Sequence, residues 1–357
     1  MTSHSLDGVK RAEVDIIPLI FLGMHGQSED PAFEGVNGLW AEAWNDLVIG
    51  KESAIRLYAS ELVGMSCSAL ESPSWPVKAQ GARAIATIAE TMGSNLESAY
   101  INTLMTALLV ALSGRVWEGK EAVVSAQRMI CICCQNTIRS CQDIQKLATE
   151  KICRELMQQC KKTPTSYQQC CIEATGDILD ALKADCYQDF KEILLPILRN
   201  GTPDDLSDPS TALKLRAVVF RALGKAWPQC TDTQVACTGE VFVVMGDALL
   251  TSPWQTQVAI LCGLRDLLQR LSVPLSETDL SYVSIHLTPI LSQCVGVAKY
   301  GVCRAALQVL SKLVVILKDA QCHFQESPPL QGLRQALSTV RDPQDKELVV
   351  ELLKYLQ

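Results

Sequence analysis

Aromatic residues are scarce: Phe, Trp and Tyr make up 5% of a 357-residue chain that is 48% apolar. Leu, Ala, Val and Ile must therefore fill the interior, as in packed helices, whereas β-sandwiches draw on aromatic and β-branched side chains. Histidine is rarer still, at His4, His25, His286 and His323. None has a second histidine four residues on, the spacing that puts two metal ligands on one helix face. Positive charge is also short: 32 Lys and Arg against 39 Asp and Glu give a net charge of −7 and a pI near 5.3. Replacing the counterions of a nucleic acid needs a basic stripe, so broad nucleic-acid binding is excluded. An anionic membrane surface is disfavoured on the same ground.

Long apolar runs are missing too. Ile16–Met24 follows Glu13 and Asp15 and lacks a small-residue cleavage site, so it does not read as a secretion signal. Ile101–Ser113 is too short for a bilayer and contains Asn102 and Thr103. No stable membrane insertion is expected. The glycines form neither a G-x-G-x-x-G nor a G-x-x-x-x-G-K-[ST] pattern, and no G-x-S-x-G elbow occurs. Gly224-Lys225 runs into Ala226-Trp227, so it is not a phosphate loop. Acidic residues are scattered rather than paired for acid–base work. The sequence assigns no catalytic, cofactor-binding or metal-ligating residue.

Cysteine, by contrast, is plentiful at 16. Cys131-Ile-Cys133-Cys134 invites a zinc reading, but a zinc site wants two ligand pairs at matched spacing, and no second pair fits. These cysteines and Cys170-Cys171 fall inside apolar helical patterns. They read as small buried hydrophobes in a soluble protein of a reducing compartment, which points to the cytoplasm.

Helix-start signals recur along the chain. Ser94-x-x-Glu97 and Thr231-x-x-Gln234 have the form of capping boxes, and Ser276-x-x-Asp279 is a weaker relative. Thr163-Pro164, Ser252-Pro253 and Asp342-Pro343 each set a capping side chain before a proline, and Ser74 precedes Trp75-Pro76. Between these signals the apolar spacing is helical: Phe190, Ile193, Leu194, Ile197 and Leu198 share a face, as do Leu280, Val283, Leu287, Ile290 and Leu291, and Leu348, Val349, Leu352, Leu353 and Leu356. The β-looking run Val241–Val244 sits inside a segment long enough to be a helix. Trp40 and Trp44, four apart, read as a core pair.

The pattern repeats. Trp75, Trp117, Tyr167, Leu213, Trp254 and Tyr300 are separated by 42, 50, 46, 41 and 46 residues. Three positions after these anchors stand Lys78, Lys120, Cys170, Arg216, Gln257 and Cys303. Seven after stand Ala82, Val124, Ala174, Phe220, Leu261 and Leu307, all apolar. Nine after stand Ala84, Ala126, Gly176, Ala222, Gly263 and Val309, five of them small. This period is that of HEAT and armadillo units. The expected fold is all-α, a HEAT-type α–α superhelical solenoid of about seven helix pairs. Residues 1–36 read as a partial repeat and linker at the cut end of a longer array, which should make the stretch through Gly38 the least stable part. Residues 37–357 read as one continuous solenoid, with polar loops at Gly26–Gly38 and Asn200–Ser210 that do not mark domain boundaries.

The densest mix of charge, aromatic and glycine is Arg115-Val-Trp117-Glu-Gly-Lys120-Glu121. Arg115, Trp117, Lys120 and Glu121 are the candidate partner-binding residues. The competing reading has Trp117 packing between helices while Lys120 and Glu121 support a helix start.

Several stretches, in order, resemble the Ecm29 family of proteasome adaptor and scaffold proteins. They are Pro18-Leu-Ile-Phe-Leu-Gly-Met-His25, Leu39-Trp-Ala-Glu-Ala-Trp44, Ile55-Arg-Leu-Tyr58, Lys78-Ala-Gln-Gly-Ala82, Gly114-Arg-Val-Trp-Glu-Gly-Lys-Glu121 and Leu223-Gly-Lys-Ala-Trp-Pro228. The resemblance covers about residues 16–228. It implies the C-terminal part of a long HEAT-repeat protein that binds the 26S proteasome, links its core and regulatory particles, and acts in assembly and quality control. It also implies nuclear and peripheral endoplasmic-reticulum or endosomal locations, with a link to degradation at the endoplasmic reticulum. Other scaffold readings are a transport receptor or a tubulin-cofactor-like solenoid. An enzyme with a concealed site is the reading from another class.

Overall fold

A computed structural model describes residues 14–26, 36–48, 50–200, 208–297, 299–319, 328–340, 342 and 344–355. His4, His323, Leu356, most of the 26–38 loop and residues 201–207 of the 200–210 loop lie outside that set. Every regular element among the described residues is helical. The chain divides into two compact units, Met1–Leu182 and Lys183–Gln357. Lys183, at the division, has a left-handed φ of 54°.

The first unit contains α1 (Val14–Gly23), α2 (Val36–Leu47), α3 (Lys51–Leu57), α4 (Ala59–Glu71), α5 (Trp75–Met92), α6 (Ser98–Leu112) and α7 (Glu121–Cys133). It continues with α8 (Gln135–Ser140), α9 (Gln142–Lys146), a π-turn over Leu147–Ile152, α10 (Cys153–Gln159) and α11 (Thr165–Leu182). Here α5, α7 and α11 pack in succession as one layer, and α4 packs on α6 in the other. The second unit holds α12 (Tyr187–Asn200), α13 (Pro209–Lys225), α14 (Thr231–Thr251), α15 (Trp254–Arg270) and α16 (Glu277–Tyr282). A π-turn over Val283–Leu287 leads to α17 (Thr288–Gly296), α18 (Tyr300–Asp319), α19 (Pro328–Thr339) and α20 (Lys346–Tyr355). Here α13, α15, α18 and α20 pack in succession as one layer, and α14 packs on α16 in the other. Within each unit this is the two-layer order of an all-α solenoid.

The repeat columns have a physical meaning. All six residues seven after the anchors are buried, and so are all six residues nine after. The small residues of the second column let helix backbones touch. A Cβ on Gly263 would sit 2.3 Å from the Phe220 carbonyl oxygen, and one on Gly224 would sit 2.0 Å from that of Gly263. Gly224 is therefore a packing glycine of α13. Two residues of the column three after the anchors reach back across helix hairpins. Lys78 Nζ donates to the Leu70 carbonyl at 2.6 Å, and Gln257 Nε2 donates to the Leu249 carbonyl at 2.9 Å. Gln168 does the same to Cys160 at 2.8 Å, one position after its anchor rather than three. The anchors slip because Trp75, Trp254 and Tyr300 begin their helices, whereas Tyr167 and Leu213 lie inside theirs and Trp117 precedes its own.

The helix starts correct some expectations. Ser276 caps as read, accepting from Asp279 N at 3.1 Å. Ser94 does not cap: it lies in a 3₁₀ turn, Gly93–Asn95, and α6 starts later at Ser98. Thr231 is already helical, and Gln234 faces inward instead of backwards. Its amide donates to the Pro228 and Arg270 carbonyls at 2.8 and 3.1 Å and accepts from Ser272 N at 2.9 Å. Ser252 ends α14 rather than capping α15. The cap that the sequence reading passed over is Asp208, inside the polar loop, whose carboxylate accepts from Ser210 and Thr211 N–H ahead of Pro209. The run Val241–Val244 is helical, within α14. Of the tryptophan pair, Trp44 is buried against Phe21, while Trp40 is partly exposed and lies over Gly23.

Ile101–Ser113 is not the strongest apolar segment. Thr231–Thr251 and Tyr300–Leu317 are long and apolar enough to cross a membrane by length and composition. In each, 44% of the apolar window is buried by neighbours, the pattern of a helix with one face in a protein core. The first also carries Asp232, Glu240 and Asp247.

Candidate docking cleft

A concavity of about 900 Å³ in the first unit lies along α4 and α6 and under the turn that follows α6. Its walls are built by helix spacing. Asn102, Thr106 and Val110 follow one another at four-residue steps along the open face of α6, while Ile101, Leu104, Met105 and Leu108 bury the opposite face. Cys67, Leu70 and Glu71 of α4 form the other wall. Val110 is 72% exposed, an aliphatic side chain left outside the core.

The turn at Ser113–Arg115 closes one end. Gly114 has φ of 82°, a conformation that favours glycine. Lysines hold this turn from beneath. Lys120 Nζ donates to the carbonyls of Ser113 at 3.3 Å and Arg115 at 3.2 Å, and Lys162 donates to that of Gly114. Cations suit this place because α6 ends just before it, where the helix dipole is negative. Lys120 is wholly buried and also lies 6.0 Å from the Tyr167 ring centroid. Burial, and then repulsion from Lys162, push its ammonium down to about 8, with Glu155 acting in the opposite direction.

The four candidate residues therefore have different places. Arg115 is exposed and Trp117 half-buried, and both line the cleft. Trp117 stacks on Trp75 with centroids 6.5 Å apart and planes 23° from parallel. Lys120 is removed from the surface and acts as the internal clamp of the turn. Glu121 opens α7, where an acidic side chain suits the helix N-terminus, and it does not line the cleft. Asn102, Thr106 and Val110 were not singled out from sequence. Their only signal was an aliphatic residue at a solvent-facing position of an otherwise one-sided helix.

The cysteines behave as apolar side chains. Cys131, Cys134, Cys153, Cys160 and Cys171 are fully buried. Burial pushes the Cys131, Cys134 and Cys160 thiols up to about 12. Cys134 donates to the Gly93 carbonyl at 3.2 Å. His286 stacks on Tyr282 at 5.4 Å on the surface of the second unit. Among the described residues no group of three or more His, Cys, Asp or Glu side chains is placed to hold a metal ion.

Comparison with known proteins gives these features a lineage. The chain is 32% identical over 281 residues to the human proteasome adapter and scaffold protein ECM29, and the match takes in 75% of this chain. By sequence the chain is a relative of the Ecm29 proteins. The Drosophila melanogaster proteasome-associated protein ECM29 homolog matches at 28% identity over 278 residues, 72% of this chain. The matches span 15% of the human protein and 14% of the fly protein, so the chain corresponds to a small part of either. No family model matches. Among solved structures, an engineered protein superposes with a TM-score of 0.54 at 15% identity, covering 98% of this chain and 79% of that one, which supports the fold alone.

Proposed function

We propose that this chain is a non-enzymatic scaffold segment that binds the 26S proteasome and helps link its core and regulatory particles. The observation that carries this reading is the 32% identity, over three-quarters of the chain, to a protein named as a proteasome adapter and scaffold. The architecture supports it. A two-layer helical stack offers long helix faces and inter-helix turns, from which affinity accumulates over many modest contacts. Roles in proteasome assembly, quality control and degradation at the endoplasmic reticulum belong to the same proposal. So does a cytoplasmic location with nuclear and peripheral endoplasmic-reticulum or endosomal pools, checked by imaging of the tagged chain.

The test is recovery of purified 26S proteasome on the immobilised chain, scored separately for core and regulatory subunits. Recovery of both supports a linking role. Recovery of neither, from a chain shown to be folded by circular dichroism, refutes the reading for this segment.

A further inference from the structure

The α4–α6 cleft has a shape and a charge that select one kind of occupant. From Asn102 through Thr106 to Val110 is eight steps along α6, about 12 Å at the helical rise of about 1.5 Å per residue. Roughly four residues of extended chain cover that length at about 3.3 Å each. The Asn102 amide carries both donors and an acceptor, which suits the alternating groups of a peptide backbone. Val110, with Ala107 and Ala111 beside it and Trp117 at the end, makes the α6 wall apolar. The charge is set at the turn. Arg115 stands exposed and makes no ion pair among the described residues. Lys120 and Lys162, not Arg115, bond the carbonyls of the turn. Glu71 is the one carboxylate in the lining, set against two cations, Arg115 and Lys78, the latter also donating to the Leu70 carbonyl. Within a chain of net charge −7, this is a locally cationic groove with one aliphatic wall.

We propose that this cleft binds an extended, acidic and aliphatic segment of a partner polypeptide, with aliphatic side chains on Val110 and Trp117 and a carboxylate on Arg115. The proposal stands apart from proteasome binding, because the groove's chemistry does not depend on which protein supplies the segment.

The experiment is fluorescence anisotropy with the whole chain and a fluorescein-labelled peptide of alternating glutamate and leucine. The charge-reversed lysine–leucine peptide is the control. The expected result is saturable binding of the acidic peptide, weakened by salt, with little binding of the basic one. Arg115→Glu should weaken it by about tenfold or more, as loss and reversal of one charge-assisted contact does. Val110→Asp should weaken it comparably. Both residues are exposed, and melting curves matching the parent chain would show that the variants fold. No binding by the parent chain, equal binding of both peptides, or undiminished binding by folded Arg115→Glu overturns the proposal. A chain that binds the peptide but recovers no proteasome refutes the scaffold reading and leaves the groove standing. The converse result refutes the groove alone.

Discussion

Replacing Lys120 by methionine tests whether the wall of the cleft is built as described. Methionine keeps most of the stem volume and removes the ammonium. The carbonyls of Ser113 and Arg115 then lose their donor. A hydrogen bond to a charged group contributes ~1.5–3 kcal/mol. Part of that is offset, because the ammonium no longer has to be buried, and the downward displacement of Lys120 reports that cost. The net loss at neutral pH should be about 1–3 kcal/mol. The pH dependence is more diagnostic than the size. Below about 8 both folded and unfolded chains carry the Lys120 proton, and the parent bears the whole burial cost. Between about 8 and the ordinary 10.5 the folded chain releases the proton while the unfolded chain keeps it, so the parent's stability rises with pH. Lys120→Met lacks that gain. The gap between parent and variant should therefore widen from roughly pH 7 to pH 10, while titrations common to both chains cancel. Urea unfolding followed by tryptophan fluorescence suits the measurement, since the Trp75–Trp117 stack adjoins the turn. A gap that is constant between the two pH values would refute the buried-ammonium argument, and a variant as stable as the parent would refute the clamp.

Further outcomes follow from the packing. Gly224→Ala, which sets a Cβ against the Gly263 backbone, should cost about 3 kcal/mol or more, read as a lower urea midpoint; an unchanged midpoint would deny the close approach of α13 and α15. Gln234→Leu should cost about 2–4 kcal/mol by leaving two carbonyls and one N–H without partners, checked by thermal melting. Cys131, Cys134 and Cys160 should resist alkylation at neutral pH until the chain unfolds, as quantitative mass spectrometry would show. Hydrogen exchange should find α1 less protected than α5. Acid should loosen α1 further, because burial and then Arg83 hold His25 down at about 4 in the folded chain, so stability falls as pH drops from 6.5 towards that value.

The fold was legible because its two strongest signals are physical requirements of stacking. The apolar and small columns had to be buried for neighbouring helices to touch, and Val124, Gly263 and Leu307 occupy those places whether or not the anchors were set in perfect register. Helix starts were less legible, because a Ser/Thr-x-x-Glu/Gln spelling does not say where the side chain is needed. At Thr231 the deeper demand came from Pro228, Arg270 and Ser272, whose backbone groups would otherwise be buried unpaired, and Gln234 serves them. The same conflict limited the reading of the cleft. A lysine beside a tryptophan, an arginine and two glycines looks like a surface contact in one dimension, but the chain end of α6 requires a cation beneath it, and Lys120 fills that role.

This separation of roles explains how a densely charged motif can be both structural and able to bind. A turn that merely displayed Arg115 on flexible backbone would lose much of its contact energy in ordering that side chain and its neighbours. Here Lys120 from within and the half-buried Lys162 together fix all three carbonyls of Ser113–Arg115, and Trp75 braces Trp117 from the side. The exposed guanidinium is held at the mouth of the groove by contacts that never meet a partner. Lys120→Met should therefore weaken acidic-peptide binding as well as stability, although Lys120 is out of reach of any ligand. Arg115→Ala should weaken binding and leave stability unchanged. If Lys120→Met lowered stability while peptide affinity stayed at the parent value, the turn would be a structural cap and nothing more.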